Sequence, residues 1–358
     1  MARSFFDHYV FEGPPRALGQ QHGEALREQI RAHLQLLYDR GRRYSDMSRE
    51  ELLETAGRFE NYIRQYTPDF FEEIQGLAEG AGIQPDEALF LQCKPEIVHL
   101  NHPGGSHFKN TAFAVGTTHT AEAKMYSALN MDMAGDFEPF TNVITLKAEG
   151  KPQVMMLLPA GMISYQGCND RGMGVSSNYL ICEGWKIGVP GYLITRLLLE
   201  QESYEEALKT ITRLDFSSPR SYLICHRDGK IVGVETTPER AAIREERSGI
   251  RIHTNHYVNP QMVSSEKSSD YEYTDSQCRM KRMEELLQEY EGRIDSFAIR
   301  RFLRDHLGEP HCLCLHPDPP NHYAHTFASL IMNLTDGVME VCMGNPCCNE
   351  YASYEFIY

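Results

Sequence analysis

The chain of 358 residues contains 50 acidic and 35 basic side chains, which gives it a formal net charge of −15 at pH 7. Such a negative field repels phosphate backbones and anionic lipids, so it argues against nucleic acids and membrane surfaces as partners. Apolar residues make up 41% and charged residues 24% of the sequence, the balance of a soluble globular protein with a sizeable core. The length allows either two domains or one large domain.

The sequence has the features of a cytoplasmic protein. Its first 20 residues lack the apolar stretch and the small-residue cleavage site of a secretory signal. No apolar run approaches the roughly 20 residues that are needed to cross a bilayer. In this setting we expect the ten scattered cysteines to be reduced and mostly buried rather than joined in a disulfide framework.

The first hundred residues are predicted to be largely helical. Residues 15–44 carry apolar side chains at helical spacing. Residues 48–67 open with Ser48 and have Glu51 three positions later, which is the pattern of a capping box. Further helices are expected at residues 68–82 and, with a possible passage into a strand, at residues 84–98.

From about residue 111, short β-prone apolar runs alternate with Gly, Asp, Asn and Pro. Helical spacing returns at residues 189–213, 276–294 and 295–307. Hairpins are predicted at the dipeptides Asp228-Gly229, Ser248-Gly249 and Asp336-Gly337. Helices first, then strands, a helical interlude and more strands indicate an α+β fold rather than alternating βα units.

The best candidate for a domain boundary is the glycine-containing segment at residues 101–107. We therefore expect a helical leader segment at residues 1–105, packed on a core formed by residues 106–358, with the two making one structural unit. No internal repeat and no low-complexity linker interrupts the sequence.

Four polar clusters interrupt the apolar strand pattern and are the candidates for chemistry. Taken singly, each is more often structural, because Asn, Asp and His at strand ends commonly satisfy turns and caps. The sequence lacks a dinucleotide fingerprint, a P-loop, a nucleophile elbow and the metalloprotease motif, so no cofactor is expected. The clusters are Lys109-Asn110-Thr111, Asn130 with Asp132, His253 to His256, and Cys314 to Asp318.

The segment "HCLCLHPDPPNHYAH" (311–325) suggests a metal site, because two cysteines and four histidines are crowded together there. A tetrahedral zinc site usually shows two spaced pairs of ligands, whereas a C-x-C with scattered histidines is a weak signal. We therefore predict a strand followed by a Pro-rich loop, without a metal. The residues in question are Cys312, Cys314, His311, His316, His322 and His325.

Taken together and in order, the clusters resemble one family, the penicillin acyltransferase-type branch of the N-terminal-nucleophile (Ntn) hydrolases. That family has motifs like "GCT-x-F-A-V", "Q-N-x-D-W", "E-x-x-P", "H-T-N-H", "C-R-H-P-D" and "A-S-x-I-M-D". The corresponding stretches here are "KNTAFAV" (109–115), "LNMDM" (129–133), "ETTP" (235–238), "HTNH" (253–256), "CLHPD" (314–318) and "ASLIMNL" (328–334). The resemblance spans nearly the whole chain and implies an αββα four-layer sandwich with an N-terminal helical segment.

The resemblance also implies a mechanism. Family members cut themselves before a cysteine, and the freed residue then attacks the substrate with its own α-amine as the base. The Asp of "N-x-D" positions that terminus, and the Asn of "H-T-N-H" donates into the oxyanion hole. On this basis Asp132 and Asn255 are the expected counterparts in this chain.

The chain departs from the family pattern at two positions. Asn110 stands where the family has its cysteine, and Leu315 replaces the arginine of "C-R-H-P-D". Three accounts remain open: Asn110 is an engineered trap, Thr111 has taken over as the nucleophile, or the lineage has abandoned self-cleavage and kept the cavity. The second account needs a re-registered strand, because a shift of one residue turns a side chain to the opposite face.

Three functions follow from these accounts. The first is an enzyme that does not self-process and makes or breaks a C–N bond in a small, amino-acid-derived substrate. The second is a conventional self-processed hydrolase or acyltransferase, and the third is a binding protein without catalysis. A homo-oligomer is compatible with all three. The candidate catalytic residues are Asp132, Asn255, Asn110 and Thr111, and the candidate substrate contacts are Lys109, Asn130, His253, His316, Glu96 and Tyr165.

Overall fold

The computed structural model describes residues 4–101, 109–317 and 324–357, which form ten α-helices and fourteen β-strands. The N-terminal part begins with strand β1 (His8–Gly13) and continues as helices. These helices are α1 (Pro15–Ala25), α2 (Arg27–Ser45), α3 (Arg49–Gly57), α4 (Glu60–Tyr66), α5 (Pro68–Ala81) and α6 (Pro85–Asn101).

The rest of the chain builds two sheets. Sheet A has eight strands in the order β1-β4-β5-β6-β7-β8-β9-β10, and sheet B has six in the order β11-β2-β3-β12-β13-β14. Strands β1 and β4 are parallel, and the other neighbours pair antiparallel. The strands are β2 (Lys109–Val115), β3 (Tyr126–Ala134), β4 (Thr141–Ala148), β5 (Val154–Pro159), β6 (Gln166–Asn169), β7 (Met173–Tyr179), β8 (Arg220–His226), β9 (Ile231–Thr236), β10 (Ala241–Glu245), β11 (Ile250–His253), β12 (Ala324–Asn333), β13 (Val338–Met343) and β14 (Tyr351–Glu355).

Helices cover the outer faces of the two sheets. Strand β2 of sheet B packs against β7 and β8 of sheet A, so the two sheets face each other. Sheet A carries α7 on β6 and β7, while sheet B carries α9 on β11 and α10 on β12. These helices are α7 (Gly191–Leu199), α8 (Tyr204–Ile211), α9 (Asp270–Glu289) and α10 (Ser296–Leu303). The predicted α+β class and αββα layering are confirmed.

One predicted hairpin is wrong. Strands β10 and β11 flank the Ser248-Gly249 turn, but they lie in different sheets, β10 beside β9 and β11 beside β2. The turn carries the chain from sheet A to sheet B, and Gly249 O accepts a hydrogen bond from Gly116 N at 2.7 Å. The hairpins at Asp228-Gly229 and Asp336-Gly337 are confirmed by antiparallel pairing.

The leader segment is tied to sheet A by a strand that the sequence analysis did not predict. Strand β1 pairs in parallel with β4, with His8 opposite Val143. The long helix expected at residues 15–44 is divided at Leu26, and the one at residues 48–67 is divided near Arg58. The capping box of Ser48 and Glu51 is present. The proposed boundary at residue 105 lies outside the described residues and stays a prediction. The strand expected at the start of the segment 311–325 is wrong, since residues 311–317 form no strand, and the Pro-rich loop expected after it falls largely outside the described residues.

Most of the cysteines are buried, as expected. All ten are free thiols, and seven of them are buried. In the described part of the chain, no helix combines the length and the apolar character of a membrane-spanning segment.

Helices α1 and α5 pack through four glycines that bring their backbones into contact. Gly19 and Gly23 lie on one face of α1, and Gly76 and Gly80 lie on the facing side of α5. A Cβ atom added at Gly19 would come within 1.9 Å of the carbonyl oxygen of Glu73. One added at Gly76 would come within 2.0 Å of another main-chain oxygen. The two helices can therefore pack this closely only because the four glycines have no side chains.

We expect Gly19→Ala to lower the free energy of unfolding by about 1–3 kcal/mol, because the helices must separate to admit the methyl group. Gly57→Ala is the matched control, since a Cβ atom there meets nothing within 4 Å. As Ala favours helix over Gly, the control is expected to be neutral or to stabilise by up to about 1 kcal/mol. Thermal unfolding of both variants measures the difference. Equal melting temperatures would contradict this account of the packing.

Candidate active site

The candidate site lies at the N-terminal end of strand β2. Lys109 is paired with Asp132 of β3, Asn110 with Met131, and Thr111 with Asn130, in an unbroken register. Because paired residues in an antiparallel ladder point to the same face, Lys109, Thr111 and Asp132 share one face of sheet B. Asn110 points to the opposite face, towards sheet A.

Asn110 is fixed from both sides. Its backbone N–H donates to Asn255 Oδ1 at 3.0 Å, and its side-chain amide donates to Ser177 O of strand β7 at 3.2 Å. Asn255 in turn donates from Nδ2 to Tyr179 O at 3.0 Å. Asn110 and Asn255, predicted from distant parts of the sequence to share a site, are therefore in direct contact.

Arg279 of α9 joins the pieces of this site, and the sequence analysis did not select it. Its guanidinium donates to Asn110 O at 2.9 Å, to Thr111 Oγ1 at 2.8 Å and to Asn255 Oδ1 at 2.9 Å. It also forms an ion pair with Asp275, one helical turn earlier, at 3.0 Å. Both side chains are about 1% exposed, so Arg279 is a buried cation. Its hydrogen bonds fix the N-terminal end of β2 (residues 109–111), called the strand head below.

A local signal could have identified this pair. Ser269 and Glu272 form a capping box that begins α9 at Asp270, six residues before the predicted start. With the helix begun at that point, Asp275 and Arg279 stand at positions i and i+4 of one face. The periodicity of the apolar residues alone placed Asp275 in a loop, so the pair was missed.

A small cleft opens to solvent beside the strand head, and the space in it together with the solvent at its mouth amounts to about 300 Å³. Its walls carry two cations and two carboxylates, together with an amide, a phenol and one aliphatic side chain. Lys109 Nζ lies 3.0 Å from Asp275 Oδ1 at this cleft. The lining residues are Lys109, Tyr179, Ile181, Asn255, Glu272, Asp275 and Arg279.

The two aspartates at the strand head have different electrostatic environments. Burial raises the pKa of Asp132 to about 6, although the nearby Arg279, the hydroxyl of Thr326 and Lys109 offset part of the effect. Burial acts in the same direction on Asp275, but Arg279 and Lys109 outweigh it and lower the pKa of that carboxyl to about 2. Asp275 is therefore ionised at neutral pH, whereas the pKa of Asp132 lies close to neutral pH.

Asp132 lies behind the cleft rather than in its wall. Its side chain is 1% exposed, and its Oδ1 accepts a hydrogen bond from Thr326 Oγ1 at 2.6 Å. Its second oxygen, Oδ2, is buried without a hydrogen-bond partner within the described ranges. Leu315, which replaces the family's arginine, is tied to the same hydroxyl, since its N–H donates to Thr326 Oγ1 at 2.9 Å.

Two predicted substrate contacts have structural partners instead. Asn130 is fully buried, and its amide donates to Leu303 O and Leu313 O at 2.9 and 2.8 Å, which connects β3 to the segments beneath it. His253 is also buried, with Nε2 3.1 Å from Glu235 Oε1. The structure does not bring either side chain to the cleft.

The other three predicted contacts lie in separate surroundings. Glu96 of α6 is fully buried and accepts hydrogen bonds from Gly191 N and Ser218 Oγ at 2.9 and 2.7 Å. Tyr165 packs edge to face on Tyr192, with ring centroids 5.2 Å apart, and burial raises its pKa to about 12. His316 is exposed and lies in a cluster with other histidine and cysteine side chains, described below.

Thr111 is not placed as a nucleophile. The regular register turns its hydroxyl away from Asn110, and the residue is fully buried beneath Arg279. A hydroxyl in this position accepts a hydrogen bond from the guanidinium of Arg279 and does not itself line the cleft. The re-registered strand that this account needs is absent from the described part of β2.

Comparison with known proteins agrees with the resemblance seen in the sequence. A sequence model of the family "Acyl-coenzyme A:6-aminopenicillanic acid acyl-transferase" matches residues 120–347, more than half of the chain. The matched region includes Asp132 and Asn255 and begins after strand β2. The 40 kDa form of acyl-coenzyme A:6-aminopenicillanic-acid-acyltransferase from Emericella nidulans is 25% identical over 297 residues, which cover 81% of this chain and 80% of that protein.

Two solved structures show a more distant similarity. One is the C2A mutant of conjugated bile acid hydrolase from Clostridium perfringens, with 13% identity, a TM-score of 0.49, and coverage of 69% of this chain and 97% of that one. The other is penicillin V acylase from Agrobacterium tumefaciens, with 10% identity, a TM-score of 0.47, and coverage of 68% and 86%.

Proposed function

The chain belongs to the acyl-coenzyme A:6-aminopenicillanic acid acyl-transferase family, and on this premise we propose that it is a C–N bond enzyme that does not cleave itself. Its substrate is a small, polar, amino-acid-derived molecule, and the reaction is amide cleavage, acyl transfer or intramolecular cyclisation. One observation carries the proposal: a cleft with two cations and two carboxylates adjoins a strand head that offers no nucleophile.

The side chain at the strand head explains why self-cleavage is not expected. The nitrogen of a carboxamide is not nucleophilic at neutral pH, and the amide of Asn110 is already engaged with Ser177 O. The nucleophile of the reaction must then come from the substrate, either as its own amine or as water. The nitrogen of Asn110 is an ordinary peptide nitrogen of the strand, and its N–H donates a hydrogen bond to Asn255.

The charges of the cleft suit a substrate that carries an ammonium group. Asp275, which is ionised at neutral pH and paired with Lys109 and Arg279, and Glu272 are the two carboxylates of the cleft that would bind the ammonium. Asp132, with a pKa of about 6, is the nearby carboxylate suited to receive a proton when the ammonium becomes a free amine. In this arrangement Asp275 is the anchor, and Asp132, which does not line the cleft, is the base through a bridging water rather than by direct contact.

The cations of the cleft, which lie beside Asp275, suit the negative charge that develops during attack. When the lone pair of the amine adds to a carbonyl carbon, the carbonyl oxygen becomes an oxyanion. Lys109, Arg279 and the second N–H of the Asn255 amide are the groups at the cleft that can stabilise it. Arg279 thereby supplies a cation that the family motif places at the position of Leu315.

Intact-mass measurement tests self-cleavage directly. We expect one chain near 40.9 kDa from the purified protein. Two fragments that meet before Asn110 or Thr111 would overturn the proposal and favour a conventional self-processed enzyme.

We expect Asp275→Asn to weaken the binding of free amino acids and their N-acyl derivatives by about 10- to 100-fold. The reason is that hydrogen bonds to charged groups contribute about 1.5–3 kcal/mol. Calorimetric titration with this panel measures the change. Asp305→Asn is the matched control, because Asp305 also pairs with an arginine, Arg282, at 2.8 Å but lies outside the cleft wall. Equal affinities in the two variants would remove Asp275 from the proposed anchor.

A binding protein without catalysis is the second candidate. It is favoured by the composition of the cleft wall, in which no serine, threonine or cysteine occurs among the described residues. Mass spectrometry of the reaction mixture separates the two functions. A ligand that binds and is returned unchanged, with any amine, water or acyl-coenzyme A supplied, supports the binding protein.

A further inference from the structure

A second group of chemically active side chains lies at one end of sheet B. It consists of two histidines and two cysteines, His306, Cys314, His316 and Cys347, and is called the His-Cys cluster below. The members come from three segments: the turn after α10, the extended segment before β12, and the loop after β13. Residues more than 30 positions apart are therefore brought together by the fold.

The spacing of the ligand atoms is close to that of a tetrahedral metal site. One nitrogen or sulfur atom from each residue lies within 4.8 Å of the other three. His306 Nε2 is 3.0 Å from His316 Nε2, which is itself 3.3 Å from Cys347 Sγ and 3.9 Å from Cys314 Sγ. Ligands at about 2.0–2.3 Å from a tetrahedral zinc ion lie roughly 3.3–3.8 Å from one another.

Hydrogen bonding alone does not account for this convergence. An imidazole Nε2 either donates one hydrogen or accepts through one lone pair. Here a single atom, His316 Nε2, has three polar neighbours within 4 Å. A cation at the centre of the cluster would satisfy all four groups at once.

The surroundings also suit a metal site. Asn345 donates from Nδ2 to Leu315 O at 2.7 Å and lies 3.5 Å from Cys314 Sγ, so it holds that sulfur from outside the cluster. Outer contacts of this kind fix the orientation of ligands. His316 is exposed and Cys347 is partly exposed, which gives an ion access from solvent.

We propose that His306, Cys314, His316 and Cys347 bind one Zn²⁺ ion in a structural site. Two thiolates with two imidazoles are a donor set that selects zinc, and four protein ligands close the coordination sphere. On binding, each thiol releases its proton to solvent, so the charge of the two thiolates balances that of the ion. The ion would fix the loop after β13 and the turn after α10 against the segment that carries Leu315.

The experiment uses the full chain under reducing conditions. Elemental analysis of the purified protein is expected to give one zinc per chain, and Co²⁺ added to the metal-free protein is expected to give a thiolate-to-cobalt absorption band. Removing the zinc with a chelator is expected to lower the melting temperature. Zinc readouts of this kind do not depend on turnover, so they are independent of the proposed function.

Variants assign the ligands. Cys347→Ser and His316→Asn change accessible side chains, and each is expected to weaken zinc binding by at least about 100-fold. Cys278→Ser and Cys348→Ser, which alter exposed cysteines outside the cluster, are expected to bind zinc as the wild-type chain does. Far-ultraviolet circular dichroism confirms that each variant is folded.

Three results would overturn the proposal. The first is a folded wild-type chain that neither contains zinc nor binds Co²⁺. The second is zinc binding that Cys347→Ser and His316→Asn leave unchanged, or that Cys348→Ser removes. The third is a disulfide between Cys314 and Cys347 that persists under reducing conditions.

Discussion

Arg279→Met is expected to lower the proposed activity strongly and to destabilise the fold. The substitution removes the donor to Asn110 O, Thr111 Oγ1 and Asn255 Oδ1, and it leaves Asp275 buried with Lys109 and His311 as its remaining partners. Breaking a buried ion pair by removing one partner costs about 3–5 kcal/mol. Loss of a group that stabilises an oxyanion lowers the rate by about 10²–10³-fold.

Stability and activity are separated by a matched variant, Arg196→Met. Arg196 is likewise a buried arginine with an i+4 carboxylate, Glu200, at 2.7 Å, and it also pairs with Glu73 at 2.7 Å. Both variants should therefore melt at lower temperature than the wild-type chain. Below the melting transition, only Arg279→Met should lose ligand binding and turnover. If Arg279→Met binds the amino-acid panel as tightly as Arg196→Met does, the arginine has no role at the cleft.

A double-mutant cycle measures the coupling within the pair. Asp275→Asn combined with Arg279→Met removes both charges, so no uncompensated carboxylate remains in the interior. We expect the double variant to be more stable than the sum of the two single effects predicts. Additive effects would show that the two side chains act independently.

Asp132→Asn is expected to change the pH dependence of stability. The pKa of Asp132 is raised from 3.8 to about 6, so the folded chain binds this proton more tightly than the unfolded chain. Stability must then fall as the pH rises from about 4 to 6, and the full cost, about 3 kcal/mol, is present above pH 6. Because the amide introduced by Asp132→Asn carries no charge, the variant gains stability relative to the wild-type chain across this interval.

The measurement compares unfolding of the two proteins at pH 4.5 and pH 7.5. Asp275→Asn is the control of opposite sign, since the pKa of Asp275 is lowered to about 2. The stabilisation from Asp275 is complete above pH 4 and is lost only as the pH falls towards 2. Its variant should therefore show a constant deficit between the two pH values. A constant difference for Asp132→Asn as well would contradict the raised pKa.

Local sequence signals predicted most of the elements and the order of the site. The capping box at Ser48, the Asp-Gly hairpins and the apolar runs of β2 to β5 depend on contacts between near neighbours. The motifs around Asp132 and Asn255 were recognised from short stretches that keep their residue types. Strand β1 was missed because its pairing with β4 joins His8 to Val143, far away in the sequence.

The limits of the sequence are clearest at Ser248-Gly249 and at α9. The Ser-Gly signal correctly placed a turn between β10 and β11. The sheet that each strand joins is decided by a distant partner, which is β9 for β10 and β2 for β11. In the same way, the pairing of Asp275 with Lys109 is a contact between residues 166 positions apart. Neither the strand pairing nor this ion pair produces a periodic pattern of residue types in the sequence.

The sequence by itself determined the fold family, the presence of asparagine at residue 110 and the positions of Asp132 and Asn255 along the chain. These are properties of residue type and chain order. Only the tertiary structure decided which charges line the cleft, that Asp132 lies behind its wall, and that His306 and Cys347 join Cys314 and His316. The physical reason is that burial, pKa and ligand geometry depend on distances across packed elements, whereas sequence spacing records only neighbours along the chain.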